Sequence, residues 1–254
     1  MATYRCVIEY DGTDFCGWQF QPELRTACGS VEATLSRLFG EPIKVSAAGR
    51  TDAGVHATGQ VISFRSDRAF PAERLALALN ANLPPDVSAR DAALVPDGFS
   101  ARHHARERTY EYAILNRAEP SAPLRRFVHH VWKPIDAERF ANAAGDLIGE
   151  HDFLAFCGVL PQKGGTVRRV RSVEMTRTND IVRITIVGDG FLHRMVRISV
   201  GTLLEIAVGL RAVEDIPRII ASCERKEAGY TAPAAGLFLA GVRYDDFDSY
   251  RAAR

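Results

Sequence analysis

The order of strand-like and helix-like segments constrains the fold of this 254-residue chain more than any other feature. Segments in which β-branched and aromatic residues alternate with polar ones predict strands. Segments with apolar residues three and four positions apart predict amphipathic helices. Both kinds occur in a similar order in the two halves of the sequence. This pattern predicts an α+β fold of two related units with an antiparallel sheet, divided as residues 1–105 and 106–254.

The local signals place the elements of each half. In the first half they predict strands over 4–10, 43–47 and 60–65, and helices over 30–39, with Ser30 as N-cap, and 71–80. In the second half they predict strands over 109–115, 170–176, 181–187 and 237–244, and helices over 136–148, 190–208 and 213–224. Residues 178–180 (Thr-Asn-Asp) form the predicted turn of a hairpin.

Composition excludes several classes of protein. The apolar fraction of 46% and the charged fraction of 25% are typical of a soluble globular protein. No run approaches the roughly 18 apolar residues of a membrane helix, and the N-terminus lacks the layout of a signal peptide. We therefore expect a cytoplasmic protein with no membrane segment.

The charge distribution is more informative than the net charge. A net charge of +1 gives no support to nucleic-acid binding. Arginines account for 28 of the 32 basic residues, and arginine suits bidentate contacts with phosphate, although a GC-rich genome raises arginine as well. Basic residues cluster at 102–108 and 168–171. A charge run is most often a solvated face, so each cluster is a candidate phosphate contact and no more.

The segment from Ala47 to Gln60 is the most unusual in the chain. It combines three glycines with Arg50, Asp52 and His56 between two predicted strands. Glycines let a backbone approach a ligand closely, and loops on a rigid sheet often carry catalytic groups. An ordinary loop with an N-capping aspartate fits the same letters.

Motifs for other chemistries are absent from the sequence. It contains no P-loop, no Gly-x-Ser-x-Gly elbow, no His-Glu-x-x-His, no Cys-x-x-Cys and no Gly-x-Gly-x-x-Gly before a helix. The pairs His103-His104 and His129-His130 would point to opposite faces of a strand, which disfavours a shared metal. We therefore predict a site with no metal and no cofactor, built from aspartate, arginine and aromatic residues.

The segment Gly49-Arg50-Thr51-Asp52-Ala53-Gly54-Val55-His56 resembles the catalytic motif of the pseudouridine synthase A family. Five further blocks resemble that family in the expected order, at residues 10–19, 99–112, 151–153, 190–197 and 232–237. Two places depart from the family pattern. One is Cys157-Gly158-Val159-Leu160-Pro161, and the other is Ala235, where a bulkier residue is common.

The resemblance implies two ferredoxin/RNP-like units that form a continuous, mainly antiparallel sheet, with helices on one side and a catalytic cleft between the units. It also implies a tRNA pseudouridine synthase. Such an isomerase converts uridine to pseudouridine at positions 38, 39 and 40 in the anticodon stem-loop of tRNA, without a cofactor. The resemblance further implies a homodimer.

The resemblance also assigns roles to five side chains. It implies that Asp52 is the catalytic aspartate and that Arg197 is its positive partner. It implies that Tyr110 stacks on the target base, that Arg50 helps to extrude the nucleotide, and that Leu237 closes the pocket from the apolar side. From the residues alone, Arg197 could be a surface arginine of an amphipathic helix, and Tyr110 could serve only to pack its strand.

Two other functions remain open from the sequence. A non-catalytic RNA-binding module could use the same scaffold, and a glycosidase that releases uracil could use the same aspartate. A glycosidase normally needs two acidic groups, and the motif offers one. The chemical route, by attack at C1′, attack at C6 or proton abstraction, also stays open.

Overall fold

A computed structural model describes residues 1–250, which form two compact units. The first unit comprises Met1–Arg108 together with the C-terminal segment from Phe238, and the second comprises Thr109–Leu237. The division expected from the sequence, between residues 105 and 106, differs because it assigns the C-terminal segment to the second unit. That segment pairs in parallel with a strand of the first unit, with Phe238 opposite His56.

The first unit is built on three long strands. Its elements up to residue 95 are β1 (Ala2–Tyr10), α1 (Ala27–Phe39), β2 (Ser46–Ala47), β3 (His56–Ser66), α2 (Ala72–Asn80) and β4 (Val87–Val95). β1 lies between β4 and β3 and pairs antiparallel with both. The short β2 pairs antiparallel with the C-terminal half of β3, with Ser46 opposite Ser63. The core includes a ring cluster in which Tyr4 stacks on Phe64 at 5.1 Å and Phe39 packs edge-on against both.

The second unit repeats the mixture of strands and helices. Its elements are β5 (Glu107–Leu115), β6 (His129–His130), α3 (Ala137–Gly145), β7 (Gly149–Asp152), β8 (Val167–Thr178), β9 (Ile181–Gly188), α4 (Met195–Ala207) and α5 (Asp215–Ser222). The strand order is β5-β9-β8-β7, and β6 pairs in parallel with β5. The last strand of the chain is β10 (Leu237–Arg243). The predicted mixed α and β fold with mainly antiparallel strands is therefore confirmed.

Most predicted elements are present, and their ends follow known capping chemistry. Gly40 ends α1 in the left-handed conformation at φ 65°, as predicted for a C-terminal glycine. Asp136 caps α3 by accepting from the N–H groups of Glu138 and Arg139. The hairpin of β8 and β9 turns at Asn179, whose φ of 55° asparagine tolerates better than most residues.

The starts of α1, β2, β3 and α4 differ from the predicted ones by three to five residues, and one nine-residue strand was missed. α1 begins at Ala27 because Thr26, not Ser30, accepts from the N–H of Gly29. β2 has only two residues because the N–H of Val45 bonds to the side chain of Glu32 and not to a neighbouring strand. β4 was not predicted at all. α4 begins five residues late because Arg194 has a φ of 60°, which a right-handed helix cannot contain.

Candidate active site

Asp52 lies in the first unit, on the loop that joins β2 to β3. Its side chain is half-buried, between a buried Thr51 and an exposed Ala53. The N–H of Val55 donates to the carbonyl of Asp52 at 3.2 Å, and Gly54 takes a φ of 76°. A left-handed glycine thus lets the chain reverse within four residues and leaves the carboxylate at the turn. We refer to residues 48–55 as the Asp52 loop.

The base of the Asp52 loop is held by a buried amide. Gln60, on β3, is fully buried, and its Nε2 donates to the carbonyl of Gly49 at 2.7 Å. Its Oε1 accepts from the N–H of the same glycine at 3.3 Å. The guanidinium of Arg108 also donates to the carbonyl of Ala48, through Nε at 3.2 Å and Nη2 at 3.1 Å. These bonds satisfy loop carbonyls and an N–H that would otherwise be buried without partners.

The tip of the Asp52 loop is held by the segment that follows β1. The hydroxyls of Tyr10 and Thr51 share a buried hydrogen bond of 2.8 Å. The N–H of Trp18 donates to the carbonyl of Thr51 at 3.0 Å, and the N–H of Gly54 donates to the carbonyl of Phe15 at 3.3 Å. Thr51 and Gly54, which lie on either side of Asp52 in the turn, are therefore fixed by bonds to another segment of the same unit.

The two segments touch so closely that a glycine is required between them. A Cβ placed on Gly12 would lie 2.0 Å from the carbonyl oxygen of Val55, a distance that real contacts do not reach. Three aromatic side chains, Tyr10, Phe15 and Trp18, pack under this contact and are each only 3% exposed. The segment that holds the Asp52 loop is therefore itself anchored by a buried cluster of aromatic side chains.

His56 has a structural position at the end of the motif. It is 1% exposed, and its Nδ1 accepts from the N–H of Gly12 at 3.0 Å. The same nitrogen lies 3.2 Å from Oδ1 of Asp11. Its ring stacks on Phe238 with centroids 4.7 Å apart. The histidine thus links the first loop to the start of β3 and is shielded from solvent.

Arg50 lies two residues before Asp52 on the same loop. Its side chain is exposed and makes no ion pair or hydrogen bond with any residue of the part of the chain that the structure describes. The first unit therefore presents a half-buried carboxylate and an extended guanidinium on one loop. The guanidinium of Arg50 is suited to bind an anionic ligand, and the carboxylate of Asp52 lies two residues away on the same loop.

Tyr110 lies in the second unit, on β5. It is 8% exposed, and its ring meets that of Phe191 edge-on, with centroids 5.2 Å apart and an interplanar angle of 88°. Tyr112 is buried two residues along the strand and donates from its hydroxyl to the carbonyl of Pro233 at 2.9 Å. Burial raises the pKa of Tyr112 far above its usual value, and the charge of Arg197 opposes part of that rise.

Arg197 lies in the first turn of α4 and is tied to an irregular segment of the same unit. Its Nε donates to the carbonyl of Ala232 at 2.8 Å, and the N–H of Ala232 donates back to the carbonyl of Arg197 at 3.1 Å. Its neighbours Val196 and Ile198 are buried, as predicted for this helix. The two-way bond fixes the direction in which the rest of the guanidinium points.

A close contact between backbones supports this arrangement. A Cβ on Gly201 would lie 2.0 Å from the carbonyl oxygen of Tyr230, so α4 can approach that segment only at a glycine. The hydroxyl of Thr202 accepts from the N–H of Gly229 at 2.9 Å. Leu237, at the start of β10, is 4% exposed and lies at the end of the same segment.

Each unit thus groups some of the predicted site residues. The first unit has Asp52 and Arg50 on one loop, and the second unit has Tyr110, Arg197 and Leu237. Sequence reasoning missed the residues that support them, because their bonds connect segments far apart in the chain. These supporting residues are Tyr10, Gln60, Arg108, Tyr112 and Ala232.

The two basic clusters differ in how much of their charge is available. In the first, Arg102 and both histidines are exposed, but Arg106 forms a bidentate pair with Asp245 and Arg108 is turned towards backbone carbonyls. In the second, Arg169 pairs with Glu150 at 3.1 Å and Arg168 donates to the carbonyl of Gly165. The exposed residues of each cluster stay candidates for phosphate contact.

Two negative findings concern residues 1–250. In this range no helix has both the length and the apolar character needed to cross a membrane. The same residues contain no group of three or more His, Cys, Asp or Glu side chains placed to hold a metal ion.

Comparison with known proteins adds an independent observation. Residues 6–103 and 143–245 match a family described as tRNA pseudouridine synthase. The chain is 43% identical to tRNA pseudouridine synthase A of Halalkalibacterium halodurans, over 91% of this chain and 88% of the relative. It is 44% identical to the protein of the same name in Moorella thermoacetica, over 96% of this chain and 100% of the relative.

A further relative and a solved structure complete the comparison. The chain is 42% identical to tRNA pseudouridine synthase A of Myxococcus xanthus, over 97% of this chain and 93% of the relative. Among solved structures it is similar to a chain of "Crystal Structure of a Cbf5-Nop10-Gar1 Complex", with a TM-score of 0.33 and 12% identity over 79% of this chain and 54% of that one. A structural likeness of that size supports no conclusion.

Proposed function

The chain belongs to the tRNA pseudouridine synthase family, and on that premise we propose that this isomerase acts on uridines 38, 39 and 40 in the anticodon stem-loop of tRNA. The observation that supports this most directly is the Asp52 loop. It carries Gly49–Val55 of the segment that resembles the family's catalytic motif, and hydrogen bonds hold it at its base and at its tip.

The reaction needs no redox change and no outside reactant. The C1′–N1 glycosidic bond breaks, the uracil turns within the site, and C5 bonds to C1′. The hydrogen on C5 leaves as a proton and N1 gains one, so atoms and electrons balance. A carboxylate beside the sugar can serve as the nucleophile or stabilise a developing oxocarbenium ion. It can also act on the base as a nucleophile at C6 or abstract a proton.

We assign the first chemical step to the carboxylate of Asp52. A catalytic group contributes most when its position is set before the substrate arrives, because little reorganisation is then needed. The bonds of Thr51 to Tyr10 and Trp18 provide that preparation on one side of Asp52. The bond of Gly54 to Phe15 provides it on the other.

The other site residues have complementary roles in this proposal. Tyr110 stacks on the flipped uracil, because an aromatic ring can stack on the face of a base without hydrogen bonds to the base edge. Arg197 supplies the positive charge that keeps a carboxylate ionised away from water. Arg50 contacts the phosphate backbone as the nucleotide leaves its stack. Leu237 covers the base from the apolar side.

The proposal includes a cellular place and an assembly. The substrate is tRNA, so the enzyme works in the cytoplasm, where tRNA is modified in bacteria. The family resemblance also suggests a homodimer that binds one tRNA across both subunits. Recognition would then depend on the shape and the backbone of the RNA more than on base sequence.

Two competing functions give different products. A non-catalytic RNA-binding module would bind tRNA and change nothing in it. A glycosidase would release free uracil and leave an abasic ribose. The supporting bonds around Asp52 favour catalysis over binding alone, because they fix the position of a carboxylate, whose negative charge repels RNA phosphates and so does not increase RNA affinity.

Tritium release tests the proposal. The full chain is incubated with tRNA carrying tritium at C5 of its uridines, and with a matched transcript that has cytidine at positions 38, 39 and 40. We expect tritium in water from the first substrate only, no free uracil, and pseudouridine mapped to those positions. Release from the cytidine-substituted transcript would contradict the site assignment, and no release from either would contradict the activity.

A further inference from the structure

One exposed loop of the second unit combines two adjacent aliphatic residues with a lysine and three glycines. Residues 157–165, between a 3₁₀ turn (Leu154–Phe156) and β8, read Cys-Gly-Val-Leu-Pro-Gln-Lys-Gly-Gly. Val159 and Leu160 are 64% and 65% exposed and stand next to each other. Residues 157–161 are also one of the two places where the sequence departs from the family pattern. We refer to residues 157–165 as the 157–165 loop.

The base of this loop is firmly attached although its tip is exposed. Cys157 is buried, and the N–H of Gly158 donates to the carbonyl of His193 at 2.8 Å. A Cβ on Gly158 would lie 2.8 Å from Nδ1 of His193 and 3.1 Å from Cδ of Arg194. The loop therefore lies directly against the segment that leads into α4. At its other end, Arg168 donates to the carbonyl of Gly165 at 2.9 Å.

Arg194 is unusual within this contact. It is exposed, adopts a φ of 60°, and makes no ion pair or side-chain hydrogen bond with any residue between 1 and 250. A non-glycine residue in the left-handed region stores backbone strain, and such residues concentrate at functional sites. The close approach of Gly158 places the Arg194 side chain beside the 157–165 loop.

The two stretches of sequence that include this loop and Arg194 contain more basic than acidic residues. Residues 153–173 and 190–204 contain no aspartate or glutamate. The same two stretches contain six basic residues, which are Lys163, Arg168, Arg169, Arg171, Arg194 and Arg197. Arg169 is paired with Glu150 at 3.1 Å, so its charge is partly compensated. The surface offers two exposed aliphatic side chains within a positive field.

We propose that the 157–165 loop, together with Arg194, is a contact surface for the unpaired nucleotides of the RNA substrate. Val159 and Leu160 pack against an unstacked base or its ribose, and Lys163 and Arg194 bind the flanking phosphates. Unpaired RNA exposes base faces that a duplex hides, and aliphatic side chains can cover them. A second copy of this chain fits the surface less well, because two such basic faces would repel each other.

This inference rests on the proposed function and adds to it a determinant of substrate affinity. The test uses the full chain and a synthetic anticodon stem-loop RNA. The variant Val159→Ser/Leu160→Ser removes the aliphatic surface. Leu210→Ser is the matched control, because Leu210 is 63% exposed in the same unit but outside the loop. Because all three side chains are exposed, we expect melting temperatures close to that of the wild type.

We expect the double variant to bind the stem-loop about ten-fold more weakly, while the control binds like the wild type. In Arg194→Gln we expect the slope of log affinity against log salt concentration to fall by about 0.7, which corresponds to one lost phosphate contact on a single strand. Wild-type affinity in the double variant, or an unchanged salt slope in Arg194→Gln, would overturn the inference.

Two further readouts separate the ways in which the idea can fail. Sedimentation velocity on the double variant detects a change of oligomeric state. Such a change without a loss of RNA affinity would assign the loop to a protein interface and overturn the inference. Turnover of full-length tRNA by the wild type is measured in parallel. If the wild type isomerises tRNA and the double variant binds normally, only the loop inference is wrong. If the wild type is inactive, the proposed function itself is wrong.

Discussion

Replacing Tyr10 with phenylalanine removes one hydroxyl from the support of the Asp52 loop and nothing else. That hydroxyl shares a hydrogen bond of 2.8 Å with Thr51, the residue before Asp52. Both side chains are buried, with exposures of 3% and 7%. The substitution keeps the ring that packs against Trp18 at 5.7 Å between centroids. We therefore expect it to loosen the Asp52 loop without opening a cavity among the aromatic side chains.

The expected cost follows from the burial of the bond. Leaving a buried hydroxyl without this partner costs about 1–3 kcal/mol. For a chain of this size, that corresponds to a decrease in melting temperature of roughly 2–10 °C. The effect on catalysis is separate, because a misplacement of about 1 Å in a catalytic group can cost on the order of 100-fold in rate. We expect kcat to fall by about ten-fold, with little change in KM for tRNA.

Tyr4→Phe is the matched control for stability. The hydroxyl of Tyr4 lies on the same strand, is equally buried, and bonds to the carbonyl and the N–H of Phe70 at 3.1 and 2.9 Å. It has no bond to the Asp52 loop. We expect this variant to lose at least as much stability as Tyr10→Phe and to keep its kcat. Melting curves and steady-state pseudouridine formation measure both quantities. Equal loss of kcat in the two variants would refute the claim that this bond positions the catalytic loop.

Two further variants test the second unit. In Gly201→Ala the new methyl would lie 2.0 Å from the carbonyl oxygen of Tyr230. We therefore expect the free energy of unfolding, measured by chemical denaturation, to fall by roughly 1–3 kcal/mol. Gly145→Ala is the control, because its methyl would enter open space and should leave stability unchanged or slightly higher. Burial lowers the pKa of His129 to about 4. Because the folded state keeps this ring neutral while the unfolded chain protonates it near pH 6.5, the free energy of unfolding should fall by up to roughly 3 kcal/mol from pH 7 to below pH 4. This loss of stability in acid should be smaller in His129→Gln. If the free energy of unfolding of that variant depends on pH as in the wild type, the lowered pKa of His129 is not its cause.

Local patterns sufficed for the elements whose signals are local. The period of apolar residues, the aspartate cap of α3, the glycine at the end of α1 and the asparagine turn of the β8–β9 hairpin all act within a few residues. Each could therefore be found in the sequence. The mixed fold of mainly antiparallel strands followed from them.

Signals that depend on distant partners could not be found in the same way. β4 was missed because Asp91, at a φ of 50°, interrupts its alternation, and its pairing with β1 compensates for that. The late start of α4 follows from the left-handed backbone of Arg194. No residue near Arg194 in the sequence predicts that conformation. Ser30 and Thr26 are both good caps, and the choice between them depends on where the preceding loop enters the helix.

The same distinction between local and distant signals applies to the candidate site. The glycine-rich segment with Asp52 is a local pattern, and the residues together with the family resemblance predict it as the site. Its supports are not local, because Gln60 holds a residue eleven positions away, and Tyr10 holds one 41 positions away. Hydrogen bonds of that kind are visible only once the strands are paired.

The most direct test of the account is single-turnover pseudouridine formation by Asp52→Asn, with equilibrium tRNA binding measured on the same preparation. The change keeps the size of the side chain and removes its charge. The account predicts that product formation falls by at least about 1,000-fold while the dissociation constant for tRNA stays within about two-fold of the wild-type value. Product formation near the wild-type rate would contradict the central role of this carboxylate.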